Sequence, residues 1–547
     1  MVLYPSKKQF RLSKSWRSLL IALAVLLTAS GVFFRLSNLN NKIYWLDESF
    51  TSLSLSANTR SDLKQELITG QAITKETIHR FQFPNAKTNY KRTIQGLIED
   101  EPQHTPGYFL SARIWLQALG NSIFNVRLFS ALVGILCLPM MYLVVLELFE
   151  QPIIASMATV FLAVSPFHLL YSQEARPFAL WTLTTLVSCY ALLKAQKSRS
   201  WLAWVLYGFS MLASCYTFLF SLLTYFAHFV YLLFSEKFKL NKNTFGFILS
   251  GVITIGGFLP WILILKSNPP SNYTSLPPSS ILAYPKAWIR NLSLPFVDLN
   301  INESSGKAAL LVYLLYVLVI LSLIAYSFLF LAQGRKKPFL FLASLIIMPI
   351  SVLLLRDFGK GGQMTMRANY LIPSLLGIQI MVAYLFSSKI FSTAKDKLKP
   401  FWLILTGIVI TVAIASCTKM TLADTWWIKD RENVHHELAT LVNQSDRPLI
   451  VSDVLTDDEF IRPLSLSHYT KANTKFIFFF EPESGASWNN FELPQGYSDI
   501  FLYAPSESLQ AHLIQDLGYG LKPLFDKNEV FCDCPDEVFF RLEGDKT

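Results

Sequence analysis

Residues 17–35 read RSLLIALAVLLTASGVFFR, a stretch without an acidic side chain and apolar over nearly its whole length. A helix that crosses a lipid bilayer needs roughly 20 mostly apolar residues. Further stretches of this kind follow it, and it has no small-residue cleavage site, so we expect a permanent span and not a removed signal peptide. The stretch therefore predicts an integral membrane protein.

The composition supports this prediction and divides the chain in two. Of the 547 residues, 52% are hydrophobic and 16% are charged, whereas a soluble domain carries about 25% charged residues. The net charge is +10, but residues 421–547 hold 10 basic and 22 acidic side chains, which leaves +22 for residues 1–420. Because the basic excess belongs to an apolar region, we interpret it as a sign of membrane topology and expect no nucleic-acid partner.

The apolar segments predict an α-helical polytopic membrane protein of about 11 transmembrane helices. Residues 201–235 form one stretch that is too long for one helix and predicts two short ones, with a break near residues 214–217. The other predicted spans are 17–35, 127–147, 152–170, 177–193, 245–265, 308–332, 338–355, 369–388 and 400–418.

Charge predicts the orientation of these helices, because loops rich in Lys and Arg stay in the cytoplasm. Eleven spans place every basic cluster inside, although the loop near residues 147–151 has no basic residue. We therefore expect a multi-pass protein of the plasma or inner membrane with a cytoplasmic N-terminus. Residues 1–420 form its membrane domain, with a large first extracytoplasmic loop at 36–126 and an interfacial helix at 108–119.

Residues 421–547 predict an extracytoplasmic α/β domain. Strand-like runs at 448–454, 475–480, 499–504 and 538–542 alternate with helical ones, among them 506–517 after a Ser cap. His435 and His436 are interpreted as a surface pair, because no Cys or Glu cluster stands at the spacing of metal ligands.

Ionisable residues that could do chemistry gather in four outer segments and not in the middles of the spans, where His228 is the exception and is interpreted as a packed histidine. Asp47 and Glu48 follow the first span, and Glu101 and His104 precede the interfacial helix. Two further segments, each with an arginine and called here the basic rims, complete the set. The first contains Gln173, Glu174 and Arg176, and the second contains Arg367 and Tyr370.

Each of these segments has a structural alternative. The acidic pair could stabilise a helix N-terminus, the prolines around His104 could begin a helix, and Glu174 with Arg176 could form a surface ion pair. The outer arginines could reach lipid headgroups. Taken together, a carboxylate pair with two basic rims on one membrane face favours a transferase that acts on a lipid-linked phosphate.

The same motifs resemble those of the GT-C superfamily of integral membrane glycosyltransferases, and most closely its protein O-mannosyltransferase and aminoarabinose transferase branch. The resemblance covers roughly residues 15–420 and rests on Asp47-Glu48, Glu101-x-x-His104-x-Pro106, Tyr171-Ser-Gln-Glu-Ala-Arg176 and Arg367-x-x-Tyr370. Family members commonly have Asp-x-His-Pro-Pro where this chain has the longer Glu101-Pro-Gln-His104-Thr-Pro106.

The resemblance implies a glycosyltransferase that moves a sugar from a polyprenyl-phosphate donor to a lipid, glycan or protein acceptor, with inversion at the anomeric carbon. Asp47 would be the catalytic base beside Glu48, and Arg176 and Arg367 would neutralise the leaving phosphate. The sugar or acceptor would contact Glu101, His104, Gln173, Glu174 and Tyr370. No cofactor is required, and a divalent metal at Asp47 and Glu101 is the minority alternative.

Two other classes of protein remain as alternatives. A polytopic transporter or flippase for lipids or sugars would need polar groups near the bilayer midplane and often internal repeats, and the sequence offers neither. A membrane-anchored binding protein would carry its activity in residues 421–547.

Overall fold

The computed structural model describes residues 14–85, 88–269, 280–301, 305–392, 397–454, 457–480, 493–525 and 539–544. Contacts between residues divide the chain into two compact units. The helical unit consists of residues 1–39, 102–108 and 127–422, and the mixed unit consists of residues 40–101, 109–126 and 423–547. These units differ from the predicted division at residue 420, because most of the first loop groups with the tail.

The helical unit is built from long apolar helices. They are α1 (Lys14–Leu36), α7 (Ile123–Phe149), α8 (Pro152–Ala163), α9 (Pro166–Ser172), α10 (Phe178–Ser198), α11 (Trp201–Thr217), α12 (Ser221–Ser235), α13 (Lys242–Ser267), α14 (Ala283–Ser293), α15 (Lys307–Ala332), α16 (Lys336–Lys360), α17 (Ile372–Phe391) and α18 (Lys399–Leu422). Helix α17 is buried along its apolar length. The five helices between α1 and α7 lie in the first loop and are described below.

The predicted membrane spans reappear as helices. In the described part of the chain, eight helices are long and apolar enough to cross a membrane. The pair α8 and α9, bent by 59°, could form a ninth span. Residues 201–235 form two helices as predicted, although the break falls at residues 218–220, after the predicted position. The polytopic helical fold is confirmed, and the total of eleven crossings stays a prediction.

The loop at residues 147–151, which lacks basic residues, lies beside two of the basic clusters. The Glu147 carboxylate is 2.6 Å from Nζ of Lys194 and 3.2 Å from Nζ of Lys197. Arg335 donates to the backbone carbonyl of Phe149 at 3.0 Å. These loops therefore lie at one end of the helical unit, as the charge argument requires. Which side of the membrane this end faces stays a prediction.

The mixed unit contains a six-stranded sheet with the order β1-β3-β2-β4-β6-β5. Its strands are β1 (Ile73–Thr74), β2 (Pro448–Val454), β3 (Lys475–Phe480), β4 (Asp499–Tyr503), β5 (Gly520–Pro523) and β6 (Phe539–Glu543). The central strand β2 is parallel to both β3 and β4. Strand β6 is antiparallel to both β4 and β5, and β1 is antiparallel to β3.

Among the described residues, the mixed unit also contains eight α-helices, five of which come from the first loop. They are α2 (Leu46–Ser56), α3 (Arg60–Leu67), α4 (Lys75–His79), α5 (Tyr90–Asp100), most of α6 (Pro106–Leu119), α19 (His435–Val442), α20 (Asp457–Leu466) and α21 (Glu507–Ala511). The α/β fold predicted for the C-terminal region is thus confirmed, and its sheet also includes β1 of the first loop. The predicted cap is also present, since the Ser506 side chain accepts from the backbone of Leu509.

The first loop shares the core of the tail. Loop residues Leu53, Leu63 and Phe81 pack in one buried cluster with residues of the tail, among them Leu438 and Phe476. Strand β1 of the loop also pairs with β3, where Ile73 lies opposite Phe476. Deleting residues 421–547 would therefore expose the core beneath the loop, and such a deletion cannot test the tail by itself.

His435 corrects the prediction of a surface histidine pair. Its side chain is fully buried, with Nε2 2.8 Å from the Tyr503 hydroxyl and Nδ1 3.0 Å from Oγ of Ser465. Only His436 is partly exposed. Residue 435 begins α19 and faces the core cluster, which the hydropathy of its neighbours does not reveal. Burial penalises the charged imidazolium and lowers the pKa of His435 to about 3.

We expect the buried His435 to make the mixed unit sensitive to acid. Below pH 6.5 the unfolded chain binds a proton that the folded His435 does not, so the free energy of unfolding falls by up to about 1.4 kcal/mol per pH unit as the pH drops toward 3. His435→Gln should therefore lose less thermal stability than the wild type between pH 7 and pH 4 in detergent. His436→Gln is the matched control and should follow the wild type; identical pH slopes for all three proteins would contradict this prediction.

Candidate functional site

Asp47 and Glu48 occupy the first turn of α2, in the mixed unit. The preceding Trp45 is extended and makes no side-chain cap, so the acidic side chains of this turn favour the helix N-terminus through its dipole. The Tyr44 hydroxyl donates to the backbone carbonyl of Glu48 at 2.9 Å and lies 2.5 Å from Oγ of Ser52. The structural alternative is thus real, and the Tyr44 hydroxyl also ties the first turn of α2 to the residue that precedes it by two positions.

The two carboxylates differ in their surroundings. Asp47 is half-buried, whereas Glu48 is fully buried. Oε2 of Glu48 lies 3.5 Å from Nζ of Lys429, a buried lysine of the tail. The same ammonium lies 5.1 Å from the centre of the Trp45 ring. The acidic pair therefore consists of one buried carboxylate in an ion pair and one that is more accessible to a substrate.

Glu101 also lies in the mixed unit, where it forms an ion pair with Arg60. Arg60 begins α3 after the capping box of Thr59 and Asp62, and its guanidinium lies 4.7 Å from the centre of the Phe50 ring. Glu101 is thereby linked to α2 by an arginine that the motif does not contain. Among the described residues, no group of three or more His, Cys, Asp or Glu side chains could hold a metal ion.

His104 lies in the helical unit, in the segment that leads to Pro106 at the start of α6. Nε1 of Trp261 donates to the carbonyl of Pro102 at 3.1 Å and fixes this segment. Gly107 packs closely against α11, since a Cβ atom there would lie 2.6 Å from the carbonyl oxygen of Tyr216. The prolines begin a helix, as the structural alternative expects, and they hold His104 in a defined place.

The segment with Gln173, Glu174 and Arg176 follows the bent pair α8 and α9. All three side chains are buried, so the alternative of a surface ion pair is wrong. Nε2 of Gln173 donates to the carbonyls of Phe34 and Ser37 at 2.7 and 2.8 Å, which ties the segment to the end of α1. The guanidinium of Arg176 lies 5.8 Å from the centre of the Phe178 ring.

Arg367 and Tyr370 lie in the segment between α16 and α17. The buried Asp357 carboxylate accepts from the backbone of Met364 and Thr365 at 3.0 and 2.8 Å, and from the Thr365 hydroxyl at 2.8 Å. These bonds hold the turn that ends at Arg367, whose side chain is exposed. The motif residue is thus presented on a rigid loop.

Aromatic rings bring the two basic segments of the helical unit together. Phe218, in the break between α11 and α12, lies 5.7 Å from Phe178 and 6.1 Å from Tyr370 between ring centres. The Phe178 ring is the one beneath Arg176. The structure therefore joins Arg176 and Tyr370 through a continuous row of rings, while Asp47, Glu48 and Glu101 belong to the mixed unit.

Besides Arg60, which pairs with Glu101, sequence reasoning missed three residues that support the predicted site residues. Lys429 pairs with Glu48, Asp357 fixes the Arg367 segment, and Phe218 joins the two basic segments. Lys429 is far along the chain from Glu48, and Asp357 and Phe218 lie at the ends of apolar helices. The sequence near each motif therefore gives little indication of these contacts. Asp357 could have been noticed as a lone acid at the end of an apolar helix.

His168 and His228 are buried in the helical unit. Nδ1 of His228 lies 3.0 Å from the Tyr207 hydroxyl, which confirms its interpretation as a packed histidine. Nε2 of His168 lies 3.1 Å from the side-chain oxygen of Gln379. His168 lies in α9, two residues from the end of the predicted span 152–170, so His228 remains the exception in the middle of a span.

Part of the sequence is similar to a known family. Residues 103–264, less than a third of the chain, match the family described as dolichyl-phosphate-mannose-protein mannosyltransferase. No curated protein matches the sequence.

Solved structures match over nearly the whole chain. ArnT from Cupriavidus metallidurans in the apo state has a TM-score of 0.50 at 11% identity, with 96% of this chain and 98% of ArnT covered. The same protein bound to undecaprenyl phosphate gives 0.49 at 12% identity, with 97% and 98% covered. The archaeal oligosaccharyltransferase AglB from Archaeoglobus fulgidus gives 0.46 at 12% identity, with 90% and 70% covered. The expected resemblance to the GT-C membrane glycosyltransferases is therefore confirmed at the level of the fold, and residues 103–264 also match the family model.

Proposed function

We propose that this chain, which has the fold of the GT-C membrane glycosyltransferases, moves a sugar from a polyprenyl-phosphate donor to an acceptor on the non-cytoplasmic face of the membrane. The observation that carries the proposal is the family match at residues 103–264, because this segment contains His104 and the Gln173–Arg176 motif. The family description names a lipid-phosphate sugar as donor. Both segments are held by defined contacts, as a site for a large substrate requires.

In the proposed reaction, Asp47 is the base. Its carboxylate takes the proton from the acceptor hydroxyl as the acceptor oxygen attacks the anomeric carbon. The bond from that carbon to the phosphate oxygen breaks on the opposite side, so the configuration inverts and the polyprenyl phosphate leaves. Asp47 suits this role better than Glu48, because Glu48 is fully buried beside Lys429. The scheme contains no step that needs a metal ion.

We assign the two arginines to the phosphate of the donor. The phosphate gains negative charge as its bond to the sugar breaks, and a fixed cation stabilises that charge more in the transition state than in the ground state. Arg176 is buried and held over Phe178, so little rearrangement is needed. Arg367 is exposed and suits the first capture of the donor. Gln173, Glu174, His104, Glu101 and Tyr370 are proposed to contact the sugar or the acceptor.

The proposal includes the membrane orientation inferred from charge. The end of the helical unit with Glu147, Lys194 and Arg335 would face the cytoplasm. The first loop at residues 36–126 and the tail at residues 421–547 are proposed to be extracytoplasmic. The acceptor would be a lipid, a glycan or a protein at the outer face of the plasma or inner membrane.

The function can be tested by mass spectrometry of lipid-linked sugars and glycans in cells with and without this protein. A donor that accumulates on deletion, together with a glycan that disappears, would identify the substrate and product. Complementation with the wild-type chain should reverse both changes. A donor found only on the cytoplasmic side of deletion cells would instead point to a flippase, and unchanged pools would contradict the proposal.

A further inference from the structure

Hydrogen bonds connect the tail to the segment just before α2. The amide of Ile43 donates to the carbonyl of Asp424 at 2.8 Å, and the Tyr44 amide donates to the Tyr469 hydroxyl at 2.5 Å. Nζ of Lys42 donates to the carbonyl of Ala423 at 3.2 Å. The segment that leads into α2, the helix of Asp47, is therefore held by residues about 400 positions later in the chain.

The tail also holds the first turn of α2 through a buried ion pair. Glu48 and Lys429 are both almost inaccessible, and their charged atoms lie 3.5 Å apart. A buried carboxylate is costly unless a cation and hydrogen bonds compensate it. The Lys429 ammonium provides this compensation while it packs on the Trp45 ring, the residue just before the helix. Both members of the pair therefore depend on the position of α2.

We propose that Lys429 is a positioning residue for Asp47 and that Glu48 is its anchor. This inference rests on the proposed function, in which Asp47 is the base. Because Asp47 and Glu48 are neighbours in one helical turn, any shift that separates Glu48 from Lys429 also moves the Asp47 carboxylate. The tail thus contributes to catalysis by holding α2 through Lys429, although Lys429 itself contacts no reacting atom.

Lys429→Met tests the proposal, because it keeps the length of the side chain and removes its charge. Hydrogen exchange of the α2 amides at residues 49–53 should rise about tenfold, since the first turn loses its anchor. With the lipid-linked sugar that accumulates in deletion cells as donor, kcat should fall about tenfold to a hundredfold, as expected when a catalytic group is misplaced. The KM for the donor should stay within about twofold. Lys429→Arg should restore most of both properties.

Arg462→Met is the matched control. Arg462 forms a similar ion pair with the buried Glu432, at 2.8 Å, in the same unit. This variant should lose thermal stability to about the same extent as Lys429→Met, but it should leave kcat and the exchange of α2 unchanged. Equal effects of the two variants on kcat and α2 exchange would overturn the proposal, and so would unchanged values in Lys429→Met.

A double variant separates an anchoring role of Glu48 from a catalytic one. In Glu48→Gln combined with Lys429→Met, no uncompensated charge is buried, so turnover should exceed that of Lys429→Met alone. Turnover below that of the single variant would mean that Glu48 takes part in the reaction and would refute its role as anchor. If the wild type transfers no sugar at all, the proposed function fails, while the exchange of α2 still decides whether Lys429 holds the helix.

Discussion

Asp47→Asn should reduce sugar transfer by about 10²- to 10⁴-fold, the usual contribution of a general base. The amide has nearly the shape of the carboxylate but cannot take the proton of the acceptor hydroxyl. Asparagine keeps the size of the half-buried side chain, so the change should cost little more than the loss of one charge at the N-terminus of α2, about 0.3–1 kcal/mol. Transfer can be followed with the lipid-linked donor in detergent, and expression and thermal stability can be measured in parallel.

Glu66→Gln provides the control for Asp47→Asn. Glu66 is an exposed carboxylate on α3, in the same unit, and it belongs to none of the four predicted site segments. It should retain wild-type transfer. Wild-type turnover in Asp47→Asn would remove Asp47 from the mechanism, and a loss in both variants would point to an unspecific effect of carboxylate removal.

Arg176→Gln should lower kcat by about 10²- to 10³-fold, the effect of removing one fixed donor from a developing negative charge. Arg176→Lys should recover only part of the loss, because an ammonium has neither the fork of donors nor the flat surface that packs on Phe178. Because the charge on the phosphate grows during bond breaking, the loss should appear mainly in kcat. The measurement is steady-state transfer with the purified donor.

Two further variants serve as comparisons for Arg176→Gln. Lys239→Gln removes an exposed cation from the loop predicted to be cytoplasmic, and it should leave transfer unchanged. Arg367→Gln should raise the KM for the donor more than it lowers kcat, because Arg367 is exposed and is assigned to capture. If Arg176→Gln changes only KM, Arg176 binds the donor and does not stabilise its departure.

Much of the fold could be predicted from residue patterns. The helices follow from hydropathy, because the bilayer demands long apolar segments. Strands β2 and β3 have the predicted bounds, since Pro448–Val454 and Lys475–Phe480 are rich in β-branched and aromatic residues. The pair Ile73–Thr74 was missed, because two residues are too few to show an alternating pattern.

The candidate site was predictable in its residue types and less so in its supports. Asp47 and Arg176 stand out because they lie in short polar motifs next to apolar spans, on the side of the membrane predicted to be opposite to the basic clusters. The partners of Glu48 and Glu101, which are Lys429 and Arg60, could not be assigned, since an ion pair between distant residues leaves no local pattern. The burial of Glu174 and Arg176 was also missed, because neighbouring opposite charges usually indicate a solvated surface.

The pairing of β1 with β3 has a consequence for the biogenesis of the protein. Strand β1 cannot pair with β3 until Phe476, about 400 residues after Ile73, has been synthesised. At a synthesis rate of about 5 to 20 residues per second, this delay is roughly 20 to 80 seconds. During that time the hydrophobic side chains Leu53, Leu63 and Phe81 lack their partners from the tail. We therefore expect the newly made first loop to expose apolar side chains until the tail is synthesised, and chains truncated before the tail should be degraded.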